Sequence, residues 1–212
     1  MIKQRLKVLT EDQKKKIREG VNKDFIRSVL KNCVFFDTET TGLLVAGCSK
    51  EAVQPEVIEL GMLRVKDGEE VDSVDLLIEP KQKLSKKITE ITGITQEMLK
   101  WKPKFSECTG TFKNFFEGAE YFIAHNAPFD IGILENEFKR LGLIQYETYK
   151  KLISSGIILD TCEELKTFLG FRPKLETLYK SFCDFSFIQT HRATDDARMI
   201  FHILKTLSKE EK

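Results

Sequence analysis

The sequence has no apolar run long enough to cross a bilayer, and its opening residues, Met1-Ile2-Lys3-Gln4-Arg5-Leu6-Lys7, contain no hydrophobic leader segment. The expectation is a cytoplasmic protein with no membrane partner. Cysteine is sparse and unpatterned: Cys33, Cys48, Cys108, Cys162 and Cys183 are odd in number and include no C-x-x-C pair. That excludes a disulfide framework and a thiolate zinc site, and it fits a reducing compartment. Charge of one sign is also missing. With a formal net charge of +1, no global basic field attracts nucleic acid, so any such contact must come from local patches. Internal repeats and low-complexity segments are absent. What remains is an ordinary globular composition, 41% hydrophobic and 32% charged, in 212 residues. That length suits one well-buried core and is short for two domains.

The chain is organised around Phe35-Phe36-Asp37-Thr38-Glu39-Thr40-Thr41-Gly42-Leu43. Apolar residues run up to it from Cys33, as in a strand buried on both faces. Two carboxylates then interrupt the run. Strand side chains repeat every two residues, so Asp37 and Glu39 point the same way. Buried together without a cation or proton, two carboxylates cost several kcal/mol in desolvation and repulsion. An acidic pair at the end of a core strand therefore reads as a hard-metal site, although a solvated strand end entering a Thr-Thr-Gly turn gives the same triplet.

Residues 1–31 hold ten Lys/Arg against four Asp/Glu. Thr10-Glu11-Asp12-Gln13 reads as a capping box, and Ile17, Val21, Phe25 and Val29 then form an apolar stripe at helical spacing, with Gly20 a point where the helix splits. The expectation is a basic helical extension over 1–31 that packs on a larger unit at 32–212, with a nucleic-acid or partner contact through its basic side as the alternative. Val57 to Lys66 and Val71 to Ile78 read as strands around the Asp67-Gly68 hairpin turn. A helix follows from about Phe105 to Phe116. The whole order is strand, hairpin, helices, strand, helix, strand, helices, which predicts an α/β fold with a mixed sheet.

Two later helices repeat the theme of an acid among apolar neighbours. Tyr121 to His125 reads as a short strand running into Asn126-Ala127-Pro128-Phe129-Asp130, with Asn126 as N-cap and Gly142 closing the helix. Asp130, Leu134, Phe138 and Leu141 share a face, so Asp130 is aimed inward from the first turn, where the helix dipole favours a negative charge. Near the end, His191-Arg192-Ala193-Thr194-Asp195-Asp196-Ala197 opens a helix to about Leu207. Ala193, Asp196, Ile200, Ile203 and Leu207 fall on the inner stripe, and Asp195 lies roughly 100° away from Asp196. His191 falls on the loop leading in.

The segments D-x-E-T-T-G-L, H-N-A-P-F-D and H-R-A-x-x-D-A resemble, in order and context, the three motifs of the DEDDh, or DnaQ-like, 3′-5′ exonucleases, the family that includes the proofreading subunit of bacterial DNA polymerase III. The likeness covers roughly residues 32–207, including Ile91-Thr92-Gly93-Ile94-Thr95 and Ile157 to Thr161. It implies a ribonuclease H-like fold, a five-stranded mixed sheet with helices on both faces. It implies that Asp37, Glu39, Asp130 and Asp196 hold two ions and that His191 is the general base. Thr40, Leu43, Ile91, His125 and Phe129 match positions lining the family's pocket for terminal nucleotides; core packing explains the apolar ones equally well. An all-carboxylate donor set favours Mg²⁺ or Mn²⁺ over zinc.

The reaction so implied releases 5′-mononucleotides from single-stranded 3′ ends, DNA favoured, with a DNA polymerase as a candidate partner. RNase T and oligoribonuclease share these motifs, so RNA stays open as the substrate. Two further readings are a catalytically idle nucleic-acid-binding or polymerase-tethering module and a two-metal phosphomonoester hydrolase. Retention of four acids and a histidine argues against the first. Of the remaining acids and histidines, Asp160 reads as a supporting or capping residue and His202 as structural.

Overall fold

The computed structural model describes residues 8–47, 54–183 and 192–210. Apolar side chains on both faces make β1 (Asn32–Thr40) a central strand, with Val34, Phe35 and Phe36 fully buried. Alternation divides them: Cys33 and Phe35 enter one core cluster, Val34 and Phe36 the other. β2 (Val57–Lys66) pairs antiparallel with β1, and β3 (Glu69–Leu77) pairs antiparallel with β2. On the other side β4 (Tyr121–Ala124) and β5 (Ile157–Asp160) continue the sheet in parallel, giving the order β3-β2-β1-β4-β5. This is the expected five-stranded mixed sheet.

Helices α1 (Glu11–Gly20) and α2 (Lys23–Val29) precede the sheet. Between β3 and β4 lie α3 (Lys86–Thr92), α4 (Gln96–Leu99) and α5 (Phe105–Phe116). Next come α6 (Ala127–Arg140) and α7 (Leu143–Ile153), and after β5 the chain forms α8 (Thr161–Leu169), α9 (Leu175–Phe182) and α10 (Ala193–Leu207). The first two and last three helices cover the Cys33/Phe35 face, burying Ile17, Val29, Leu165, Leu178 and Ile200. Helices α5 to α7 cover the opposite face through Phe112, Phe116, Leu134, Phe138 and Tyr149. A small third cluster of Ile58, Ile94 and Leu99 seats the α3–α4 segment beside β2.

Several local signals read as expected. Asp67 and Gly68 both adopt positive φ, 50° and 76°, as a two-residue hairpin turn requires. Thr10 and Gln13 form the reciprocal capping box. Other expectations need correction. The N-terminal stripe is not continuous, because the chain breaks after Gly20, where a Cβ would stand 2.4 Å from the Phe168 ring. Asn22 then caps α2, which turns Ile26 and Val29 inward and leaves Phe25 46% exposed. Asn126 is left-handed at φ 75° and makes no side-chain cap; its Oδ1 instead accepts a hydrogen bond from Arg172. Strand β3 starts at Glu69 rather than Val71.

Candidate active site

The alternation of β1 sends Asp37 and Glu39 to the Cys33/Phe35 face, where α10 crosses the sheet. On α10 the expected inner stripe is buried: Ala193, Asp196, Ile200, Ile203 and Leu207 are each at most 7% exposed. Asp196 thereby meets the strand. One carboxylate oxygen from each of Asp37, Glu39 and Asp196 lies within 4.8 Å of the others. Asp195 turns aside and pairs with Arg198 at 3.6 Å.

Two residues that sequence reasoning passed over make this approach possible. Gly61 on β2 pairs with Asp37, and a Cβ there would stand 2.1 Å from the Thr194 nitrogen and 2.2 Å from the Ala193 carbonyl carbon. Only a glycine lets the first turn of α10 settle on the sheet. Glu59, fully buried, pairs across the ladder with Glu39 and so faces α10 as well. It accepts hydrogen bonds from the Ala193 amide (2.8 Å) and the Arg192 Nε (2.5 Å), while Arg192 also reaches Asp75 at 2.9 Å. The entry to α10 is thus anchored by a buried acid in β2. An acid and a glycine interrupting the apolar run Val57-Ile58-Glu59-Leu60-Gly61 were the available signal.

Asp130 comes from the other side of the sheet. Helix α6 packs on the Val34/Phe36 face, toward which Thr38 points, and the 2% exposed Asp130 accepts hydrogen bonds from the Thr38 amide (3.0 Å) and hydroxyl (2.6 Å). It stands outside the group of three, but its charge acts on Asp37. The four predicted ligands therefore form a trio with one neighbour behind it.

The electrostatics are those of a crowded acidic site. Burial, followed by the charges of Asp130, Asp196, Glu39 and Glu59, holds Asp37 well above the usual carboxylate range. Burial and the same kind of crowding push Glu39 up to about 8. Burial also raises Asp130 to about 7, against the lowering effect of its two bonds from Thr38. The side chains of Asp37 and Glu39 make no hydrogen bond or ion pair among the described residues. An all-oxygen cluster that resists ionisation suits a hard divalent cation, which would let the carboxylates ionise together.

The other predicted site residues have distinct settings. Thr40 is buried, its hydroxyl donating to the Gly42 carbonyl at 2.6 Å. Leu43 and Ile91 are 81% and 46% exposed, and Phe129 is half-buried against the α6 side of the core. His125 has both ring nitrogens engaged, Nδ1 with the Thr161 hydroxyl (3.0 Å) and Nε2 with the Pro173 carbonyl (2.9 Å), and burial lowers its pKa. Asp160 caps α8 and accepts from the Asn126 amide, and His202 lies against the Tyr179 hydroxyl at 3.3 Å. His191 lies outside the described residues.

A profile of the RNase T exonuclease family matches residues 34–204, from β1 into the last helix. The chain belongs to this exonuclease family. Among curated relatives, it is 36% identical over 180 residues to the PolC-type DNA polymerase III of Halalkalibacterium halodurans, covering 84% of this chain and 11% of that polymerase. The exonuclease-family chain thus spans a small part of the length of such relatives. Solved structures share the fold at a TM-score of 0.64 and 16% identity. One is a 3′-exonuclease recognising the 3′ end of histone mRNA stem-loop, covering 93% of this chain and 70% of that one. Another is the zinc-bound E. coli ExoI–ssDNA complex, covering 83% and 40%.

Proposed function

We propose that this exonuclease acts from the 3′ end, with divalent cations, and releases 5′-mononucleotides, with DNA as the favoured substrate. The observation that carries the reading is the convergence of Asp37, Glu39 and Asp196 oxygens within 4.8 Å. We assign those three residues as cation ligands, with Mg²⁺ or Mn²⁺ the ions their oxygen donors fit. Asp130, clamped by Thr38, would hold a second ion. Bound divalent cations supply charge neutralisation at the scissile phosphate and activation of the attacking water.

The chain's own side chains do the rest. His191 takes a proton from the attacking water, since an unperturbed imidazole of pKa ~6.5 is largely free base at neutral pH. Its chain neighbour Arg192 is tied to Glu59 and Asp75. Leu43 and Phe129 contact the terminal base through apolar surface without reading it, as sequence-tolerant stacking permits. We assign residues 32–212 as the catalytic unit and 1–31 as an N-terminal extension, whose described helices α1 and α2 pack on it. No described helix is long and apolar enough to cross a membrane, and we place the protein in the cytoplasm. A replicative polymerase is the proposed partner, given the PolC-type relative.

The RNA reading rests on a neighbour of like fold that acts at an mRNA 3′ end. A 5′-labelled oligonucleotide tests polarity and sugar together. Stepwise shortening of the labelled strand with Mg²⁺, faster for DNA than for RNA, is the expected result. Immediate release of the labelled 5′ nucleotide, or removal of a terminal phosphate alone, overturns the proposal.

A further inference from the structure

The segment 81–104 carries seven lysines against two acids, Glu90 and Glu97, in a chain whose net charge is only +1. Lys86 and Lys104 are committed to Glu90 and Glu79. Lys81, Lys83, Lys87, Lys100 and Lys102 are exposed and have no acidic partner among the described residues. Within the same segment stands Trp101, the single tryptophan of the chain, 85% exposed. Its backbone is left-handed at φ 66°, just past the end of α4, where glycine or asparagine is the favoured residue. A large ring in that conformation contributes neither burial nor backbone ease. The Lys100 ammonium lies 5.6 Å from the ring centroid, over one face, and the exposure leaves the other face open.

This surface is continuous with the acidic site. Gln82, between Lys81 and Lys83, accepts a hydrogen bond from the Thr41 hydroxyl (2.7 Å), two residues beyond Glu39. At the far end, the Glu79 amide donates to the Pro103 carbonyl at 3.0 Å, just after β3. Leu77, Glu59 and Glu39 form one row across the sheet, so the end of β3 is about two strand spacings, ~10 Å, from Glu39. Lysines spaced along a path with an exposed aromatic ring match the chemistry of single-stranded nucleic acid, whose phosphates pair with ammonium groups and whose bases stack on aromatic faces.

We propose that residues 81–104 form a track for the strand upstream of the 3′ end, with Trp101 a stacking platform for an unpaired base. The inference rests on the exonuclease reading above and extends it to substrates several nucleotides long. Because Trp101 is the only tryptophan, its fluorescence reports the contact directly. The probes are oligothymidylates of two and about twelve nucleotides, protected at the 3′ end by phosphorothioate linkages, with inorganic polyphosphate as a polyanion control.

The longer oligonucleotide quenches the emission, while the dinucleotide and polyphosphate do not. Trp101→Gly weakens binding of the longer probe about tenfold, the usual worth of one stacked base, and raises the melting temperature by relieving the left-handed backbone. Replacing Lys81, Lys83 and Lys87 together by Gln flattens the logarithmic salt dependence of binding by about two units, at ~0.7 per phosphate contact. If the longer probe leaves the emission unchanged while unprotected strands are still degraded, the track is wrong and the exonuclease reading stands. Quenching by polyphosphate to the same extent, or a lower melting temperature for Trp101→Gly, also overturns it. Failure to degrade any strand overturns the underlying reading instead.

Discussion

Glu39→Gln should stabilise the metal-free protein at alkaline pH, and the structure sets the size of the gain. Each pair among Asp37, Glu39 and Asp196 has oxygens no more than 4.8 Å apart, which at an effective dielectric constant of about 20 is a repulsion of ~3.5 kcal/mol per ionised pair. The folded protein avoids that repulsion by holding protons. Glu39 is raised from 4.5 to about 8, chiefly by burial. A carboxyl whose folded pKa lies above its unfolded value contributes stability that is fully present below the unfolded value and lost as pH rises through the folded one. The window here runs from about 4.5 to about 8. The full shift sets a ceiling of ~5 kcal/mol, and contact of the half-buried Glu39 with water reduces it to about 2–3 kcal/mol. For a chain of this length each kcal/mol moves the midpoint by roughly 2–4 °C. In chelator, Glu39 should therefore account for a fall of about 5–10 °C in the wild-type melting temperature between the two ends of that window, and Glu39→Gln should remove that share, leaving the fall that Asp37 and Asp130 contribute. Saturating Mg²⁺ should reverse the order, because the wild type gains a ligand the variant lacks. A wild-type melting temperature that is flat or rising with pH in chelator, or a variant that melts lower at the alkaline end, would show that crowding among these acids does not destabilise the fold.

Two further outcomes follow from the geometry, and a third from the motif resemblance at His191. Asp195→Asn should leave nucleotide release within about twofold of wild type, while Asp196→Asn abolishes it, since only Asp196 joins the cluster; comparable rates in the two variants would contradict the helical placement. Gly61→Ala should displace the start of α10, because its Cβ would overlap the Thr194 amide; the cost is about 1–3 kcal/mol in a chemical-denaturation experiment, with activity lost alongside. His191→Ala should lower kcat about 10²–10⁴-fold and remove the acid limb of the pH–rate profile at saturating metal while metal binding by calorimetry persists.

Much of the site was legible because its acids are out of place. Asp37 and Glu39 break an apolar run, and Asp130 and Asp196 occupy apolar stripes, so periodicity alone aimed them inward. The long elements with clean periodicity, β2, α5 and α10, read correctly for the same reason. Helix α7 went unassigned because Leu143 and Ile144, 72% and 82% exposed, blur the stripe that Tyr146, Tyr149, Leu152 and Ile153 turn to the core. Gly61 and Glu59 were missed because their roles depend on what crosses the strand. A glycine in β2 has no meaning until α10 lies against it, and a buried acid reads like any other until Arg192 and Ala193 bond to it. The kink after Gly20 was anticipated, but its consequence, Ile26 inward and Phe25 outward, depends on the direction the second helix takes.

Dependence of the exonuclease reaction on cations held by Asp37, Glu39 and Asp196 is the core proposal. Its most direct test is isothermal titration of Mg²⁺ and of Mn²⁺ into wild type and Asp37→Ala, with release of 3′-terminal nucleotides followed on the same samples. The wild type should bind the ions and gain activity in step with occupancy, and Asp37→Ala should stay folded yet show neither binding nor release. Nucleotide release by Asp37→Ala at a wild-type rate, or by wild type in excess chelator, would contradict it.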